Sequence, residues 1–136
     1  MTVRPARAAD LGAILALLRE AQGDAEDVAP EQFVVAEAEG RVVACGRLRR
    51  YGDVVEVASI AVAAACRRNG VGSAVVRALM AAAAPPLYLV CATHNLSYFA
   101  RFGFREVPPA EAPEALRAKY AFCSSVEGSA HVMRWG

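Results

Sequence analysis

The sequence predicts one α/β domain, residues 1–136, built on a mixed, mostly antiparallel sheet flanked by helices. Three observations predict it. Three apolar strand-like runs follow one another through tight turns between Gln32 and Val62. Helical apolar spacing precedes and follows those runs. A continuous apolar run, Leu87–Cys91, has the length of a strand covered on both faces. A chain of 136 residues is one domain's worth and long enough to bury a core without staples.

Thr2–Arg4 is short and extended. Asp10 stands where an N-cap belongs, before a helix over 11–21 whose Leu11, Ile14, Leu15 and Leu18 repeat with helical spacing. The acidic stretch 23–30 is a loop. Gln32–Glu37 and Arg41–Leu48 form a hairpin around Glu39-Gly40, and Tyr51-Gly52-Asp53 turns into the strand Val54–Val62. A loop over 63–69 opens a helix over 70–84, which Pro85-Pro86 stops. After Leu87–Cys91 come a short helix over 95–102 ended by Gly103 and a strand over 104–107. A loop with three prolines spans 108–113, a short helix covers 114–120, and a strand closes the chain over 130–134.

Lys plus Arg total 15 against 14 for Asp plus Glu, a net charge of +1. Such a balance argues against nucleic acid or an anionic membrane as partner. Cys45, Cys66, Cys91 and Cys123 are widely spaced with no ligand-spaced histidine, so no metal site is expected. The first ten residues carry charge and no apolar run, and Ala81–Ala84 is too short to cross a bilayer. A reducing cytoplasm with free thiols is the expectation.

Three segments carry chemistry. Arg67-Arg68-Asn69-Gly70-Val71-Gly72 follows an apolar strand and opens a helix. The first amides of a helix have no internal partners, and the helix dipole is positive there. Glycines at 70 and 72 let that backbone approach a pyrophosphate, and the arginines add charge. Ser73 has no lysine before it, so the loop is not a P-loop. A dinucleotide fingerprint would need a third glycine and an acidic residue about 20 positions later. The second segment holds Glu56, the one ionisable side chain in Val54–Val62. Burial disfavours its ionised form, which suits a general base. The alternative is a strand-end carboxylate that reaches solvent or pairs with Arg47 or Arg49. The third segment, Tyr98-Phe99-Ala100-Arg101-Phe102-Gly103-Phe104, is an aromatic helix that ends on glycine and returns as a strand.

In this order the three segments resemble the GNAT acetyltransferase superfamily. Its R/Q-x-x-G-x-G/A loop matches Arg67 to Gly72, and its aromatic-x-x-x-G-F element matches Phe99 to Phe104. The resemblance implies six to seven strands with a splayed pair at the cofactor site and a bulged strand ending near Ser59–Val62. It implies acetyl-CoA as co-substrate, held by Ile60, Ala61, Val62, Arg67, Arg68, Asn69, Gly70, Val71, Gly72, Ser73, Asn95 and Phe99. It also implies a homodimer. The run Tyr98–Pro108, then Glu111–Tyr120 and Ser129–Met133, is similar to the branch of N-acetylglutamate-synthase-like and arsinothricin- or phosphinothricin-type acetyltransferases. Those enzymes act on the α-amine of small amino acids or their analogues, with a glutamate matching Glu56 as base.

One departure concerns the acid. Many of these enzymes carry a tyrosine as the second aromatic, where it protonates the leaving thiolate; here Tyr98 precedes Phe99. Tyr98, Thr93, Ser97 and a water all stand as candidates. Arg47, Lys119, Ser124 and Ser125 are candidates to hold an anionic acceptor group. His131 reads as structural, and Cys91 or Cys123 as an acyl carrier is the minor alternative to direct attack. A CoA-binding module without turnover and a protein or peptide acetyltransferase are the rival readings.

Overall fold

The computed structural model describes the backbone of residues 1–127 and 129–136, with the side chains of 125–127 left aside. Ser125, a candidate anion ligand, therefore lies outside the described side chains. The strands form a seven-stranded, mostly antiparallel sheet in the order first, second, third, fourth, fifth, seventh, sixth. The chain separates into two compact units, Met1–Arg49 with Val57–Ala83, and Arg50–Glu56 with Ala84–Gly136.

The first unit carries β1 (Thr2–Pro5), β2 (Phe33–Ala38), most of β3 (Arg41–Tyr51) and the end of β4 (Val54–Val62). β1 pairs antiparallel with β2, and β2 with β3 from Phe33↔Arg47 to Ala38↔Arg41. Glu39 and Gly40 join the latter pair with φ of 53° and 74°. Two residues of positive φ match the right-handed twist of a two-residue hairpin. Helix α1 (Leu11–Ala21) lays Ile14, Leu17 and Leu18 on Phe33, Val35, Cys45 and Ala61. Helix α2 (Val71–Ala81) comes down on Gly46, where a Cβ would lie 2.8 Å from Val75 and 3.0 Å from Leu79. Only a residue without a side chain permits that approach.

Asp10 precedes α1 as expected but does not cap it. Its carboxylate accepts from the Arg7 amide at 2.7 Å and from both Arg4 nitrogens at 2.8 and 3.1 Å, while Arg4 also reaches Glu37. The nearby guanidinium and amide hold the Asp10 carboxyl down to about 2. A carboxyl with a depressed folded-state pKa stabilises the fold above its ordinary range and loses that contribution as pH falls through the folded value. Stability should therefore decline between about pH 4 and 2, and Asp10→Asn should flatten that part of a pH series of urea melts. An unaltered slope in the variant would contradict the assignment.

The second unit holds the start of β4, β5 (Leu87–Ala92), β6 (Arg105–Val107) and β7 (Ala130–Trp135). β4 meets β5 in parallel at Glu56↔Tyr88. β5 runs antiparallel to β7 from Leu87↔Trp135 to Ala92↔Ala130, and β7 to β6. Val107, Ala112 and Val132 form one buried cluster in it, with Tyr88, Val90 and Tyr120 against them. Helix α3 (Leu96–Ala100) is shorter than expected, because Thr93–Asn95 forms a 3-10 turn and Gly103, at φ 97°, ends the segment. Helix α4 (Glu114–Glu127) is longer than expected by two turns. No helix among the described residues is long and apolar enough to cross a membrane.

Candidate active site

In the first unit β4 runs straight into the basic loop. Ser59 breaks the strand with φ 57°, a left-handed conformation that a non-glycine residue adopts only when its surroundings enforce it. The enforcement is visible. Ser59 Oγ donates to the Asp24 carbonyl at 2.6 Å and accepts from Arg47 Nε at 2.8 Å. This is the irregular strand end expected before Ile60, Ala61 and Val62. Past it, Ala63 N–H donates to the Val43 carbonyl at 2.8 Å and a 3-10 turn spans Ala64–Cys66.

Arg67, Arg68, Asn69 and Gly70 are all exposed. Arg68 and Gly70 have φ of 69° and 76° in the turn before α2 begins at Val71. Arg67 Nε reaches back to the Val62 carbonyl at 3.3 Å. The result is the open first turn of an eleven-residue helix beside two guanidinium groups, with Gly72 and Ser73 in that turn. Ala74 N–H, which donates to the Gly70 carbonyl at 3.1 Å, is the first amide donor within the helix, so the amides of Val71 and Gly72 ahead of it can donate to a diphosphate.

Arg47, expected as an anion ligand or a solvated strand end, is neither. It is completely buried, and its guanidinium is spent on the loop over 24–32. It donates to Gln32 Oε1 at 2.9 Å, the Glu26 carbonyl at 2.8 Å and the carbonyls of Asp24 and Asp27, and pairs with the Asp24 carboxylate at 3.4 Å. Arg49 also takes the Asp24 carboxylate, at 3.0 Å.

In the second unit Glu56 is completely buried. Lys119 Nζ donates to its Oε2 at 2.5 Å and Tyr51 Oη to its Oε1 at 3.0 Å. The cation described at Glu56 is Lys119, on α4. The Lys119 side chain is 22 % exposed while that of Glu56 is 0 % exposed, so the lysine lies between the carboxylate and solvent. Tyr51 was legible only as part of the turn; its reach to Glu56 comes from the tight reversal at Gly52-Asp53.

A second polar cluster in this unit was not legible. Thr93 Oγ1 lies 2.9 Å from His131 Nε2 and 2.5 Å from Ser129 Oγ, and His131 Nδ1 lies 2.5 Å from Glu106 Oε2. His131, read as structural, therefore links a candidate acid to a carboxylate. The antiparallel registers of β5 and β6 on β7 assemble these residues from three distant segments. A cleft of about 400 Å³ beside them is lined by Glu106, Tyr120, Ser124, Ser129 and His131.

Tyr98 packs edge-on against Phe99 and Phe102, with Arg101 over its ring at 5.1 Å. Phe99 is buried against Phe104, and Asn95 ends the 3-10 turn before α3, half-buried. Burial pushes the Cys91 thiol up to about 11, with the Glu106 charge adding to the effect. A thiol held protonated is a poor acyl carrier.

The acetyltransferase (GNAT) family model matches residues 8–104. The fold is similar to that of N-acetylglutamate synthase from Neisseria gonorrhoeae complexed with coenzyme A and N-acetyl-glutamate, with TM-score 0.81 and 21% identity. That match covers 98% of this chain and 34% of the other, so this chain spans about a third of that enzyme's length. It is also similar to Rv2747 from Mycobacterium tuberculosis in complex with CoA, with TM-score 0.81, 25% identity and 99% and 98% of the two chains covered. Escherichia coli ElaA matches at TM-score 0.76 and 18% identity, over 99% of each chain. The helix-opening glycine loop after a distorted strand, in a seven-stranded mixed sheet, and a family match over most of its length place this chain in the acetyltransferase (GNAT) family, whose members are N-acetyltransferases that use acetyl-CoA as co-substrate.

Proposed function

We propose that this chain transfers the acetyl group of acetyl-CoA to the α-amine of a small amino acid or amino-acid analogue, with Glu56 as general base. The ion pair between buried Glu56 and half-buried Lys119 carries the reading. An α-amino acid is a zwitterion, and this pair offers a complementary charge to each of its ends. The acceptor's ammonium takes the place of the Lys119 ammonium on Glu56, and the displaced lysine takes the acceptor's carboxylate. Exchanging one ion pair for two leaves neither protein charge unpaired, which matters because an uncompensated buried charge costs about 3–5 kcal/mol.

The acceptor amine, with a pKa of roughly 8–10, gives its proton to Glu56 at a cost of about 1.4 kcal/mol per pKa unit. The free amine attacks the thioester carbonyl of acetyl-CoA, whose diphosphate rests on the amides of the loop 67–73. A backbone N–H near Ile60–Val62 steadies the oxyanion. The CoA thiolate leaves and takes a proton. Among the candidates Thr93 is favoured over Tyr98, because His131, held by Glu106, can resupply its hydroxyl.

Thiol release from acetyl-CoA with L-glutamate, methionine sulfoximine and a polyamine tests the reading. The amino acids should be turned over and the polyamine poorly. Lys119→Gln should raise KM for L-glutamate by about 10- to 100-fold, the worth of a charged hydrogen bond, with little effect on KM for the polyamine. Equal losses for both acceptors would remove Lys119 from carboxylate recognition.

A further inference from the structure

Lys119 is the only lysine in the sequence; every other side chain of the Lys and Arg class is arginine. Guanidinium groups stay protonated and do not act as acetyl acceptors at neutral pH. The one side-chain amine that can be acetylated is thus the one whose Nζ sits 2.5 Å from the buried carboxylate of Glu56. A general base must lie within hydrogen-bond reach of the proton it removes, and that condition is already met here without any added acceptor. Lys119 Nζ thus stands where the proposed acceptor's ammonium would meet Glu56.

We infer that Lys119 is itself an acetyl acceptor, modified within the same molecule when acetyl-CoA is bound and the acceptor site is empty. The inference rests on the proposed role of Glu56. In the step, the Lys119 ammonium gives a proton to Glu56 and its nitrogen bonds to the acetyl carbon. The carbon–sulfur bond then breaks, the leaving thiolate takes the second proton of the nitrogen and departs as CoA, and Glu56 returns its proton to solvent. The product is a neutral acetyl-lysine, which can neither pair with Glu56 nor hold a carboxylate. Self-acetylation thus switches off turnover of amino acids and makes activity depend on which amine reaches Glu56 first. An acceptor amino acid protects the enzyme by occupying Glu56 and drawing Lys119 onto its carboxylate.

The test is incubation of the full chain with acetyl-CoA alone, followed by intact mass and peptide mapping. One acetyl group should appear on Lys119, at a first-order rate independent of protein concentration. Saturating L-glutamate should slow the labelling about tenfold or more, and turnover of L-glutamate should fall in proportion to the acetylated fraction. Glu56→Gln should slow labelling by roughly a hundredfold or more. The wild-type protection experiment stands if that variant does not fold. Labelling that proceeds equally fast in urea, in Glu56→Gln or with L-glutamate present would be uncatalysed chemistry and would overturn the inference. So would a chain that turns over amino acids while Lys119 stays unmodified, which leaves the parent reading intact. A chain that binds acetyl-CoA but acetylates neither Lys119 nor any amine overturns both.

Discussion

Replacing Glu56 with glutamine should lower kcat for amine acetylation by about two to four orders of magnitude, the usual contribution of a positioned general base. The amide is nearly isosteric and can still accept from Tyr51 Oη, so the strand geometry should survive. What it cannot do is take a proton from the attacking amine. Acetyl-CoA affinity should change little, because the amides assigned to the diphosphate belong to the loop 67–73 and not to this strand position. The pH profile is the more discriminating readout. With the base gone, the residual rate should rise steeply with pH as the free acceptor amine becomes abundant. The measurement is kcat and kcat/KM for L-glutamate across pH, alongside acetyl-CoA titration. A variant with wild-type turnover and an unshifted profile would exclude Glu56 from proton transfer. Loss of cofactor binding to the same degree as turnover would make its role structural.

Arg47→Met should produce the largest loss of stability of any single change in the first unit, about 3–5 kcal/mol. Arg47 is fully buried and its fork satisfies carbonyls at Asp24, Glu26 and Asp27 as well as Ser59 Oγ. A methionine fills part of the space but withdraws the guanidinium from the Glu26 and Asp27 carbonyls and from Ser59 Oγ, and it leaves Asp24 with one guanidinium fewer. Against a typical total of 5–15 kcal/mol this is a large fraction. Because Arg47 also holds Ser59 at its positive φ, the strand end that precedes the cofactor loop should lose its shape too. Urea unfolding should show the loss as a lower midpoint at an unchanged slope. Arg47→Lys keeps the charge but not the planar fork, and should fall between wild type and Arg47→Met. A stability within about 0.5 kcal/mol of wild type for Arg47→Met would show that the loop finds other partners.

The sequence made legible what depends on local patterning. Val54–Val62 is a strand over those same residues, and the loop 67–72 opens a helix as its glycines and unpaired amides require. The glycine after the aromatic helix lies in the left-handed region as a helix-ending glycine should. What remained illegible depends on contacts across the sequence. Arg47 sits in an arginine-rich strand end, and nothing local separates it from Arg49 and Arg50. Only the fold of the loop 24–32 over it turns a surface charge into a buried clamp. Lys119 was a candidate for an anionic acceptor group, but its contact with Glu56, 63 positions away, appears only once α4 is in place. The Thr93–His131–Glu106 cluster is likewise a product of strand register.

The decisive measurement is calorimetric titration with CoA of the wild-type chain and of Gly72→Asp. An acidic side chain in the first turn of α2 suits the helix dipole, so the helix should persist while the added carboxylate repels an incoming diphosphate. Wild type should bind with an affinity on the order of micromolar, and the variant about tenfold or more weaker. If Gly72→Asp binds as tightly as wild type, the amides of this turn do not hold the cofactor; if the folded wild-type chain gives no binding at millimolar CoA, the proposed chemistry has no acetyl donor.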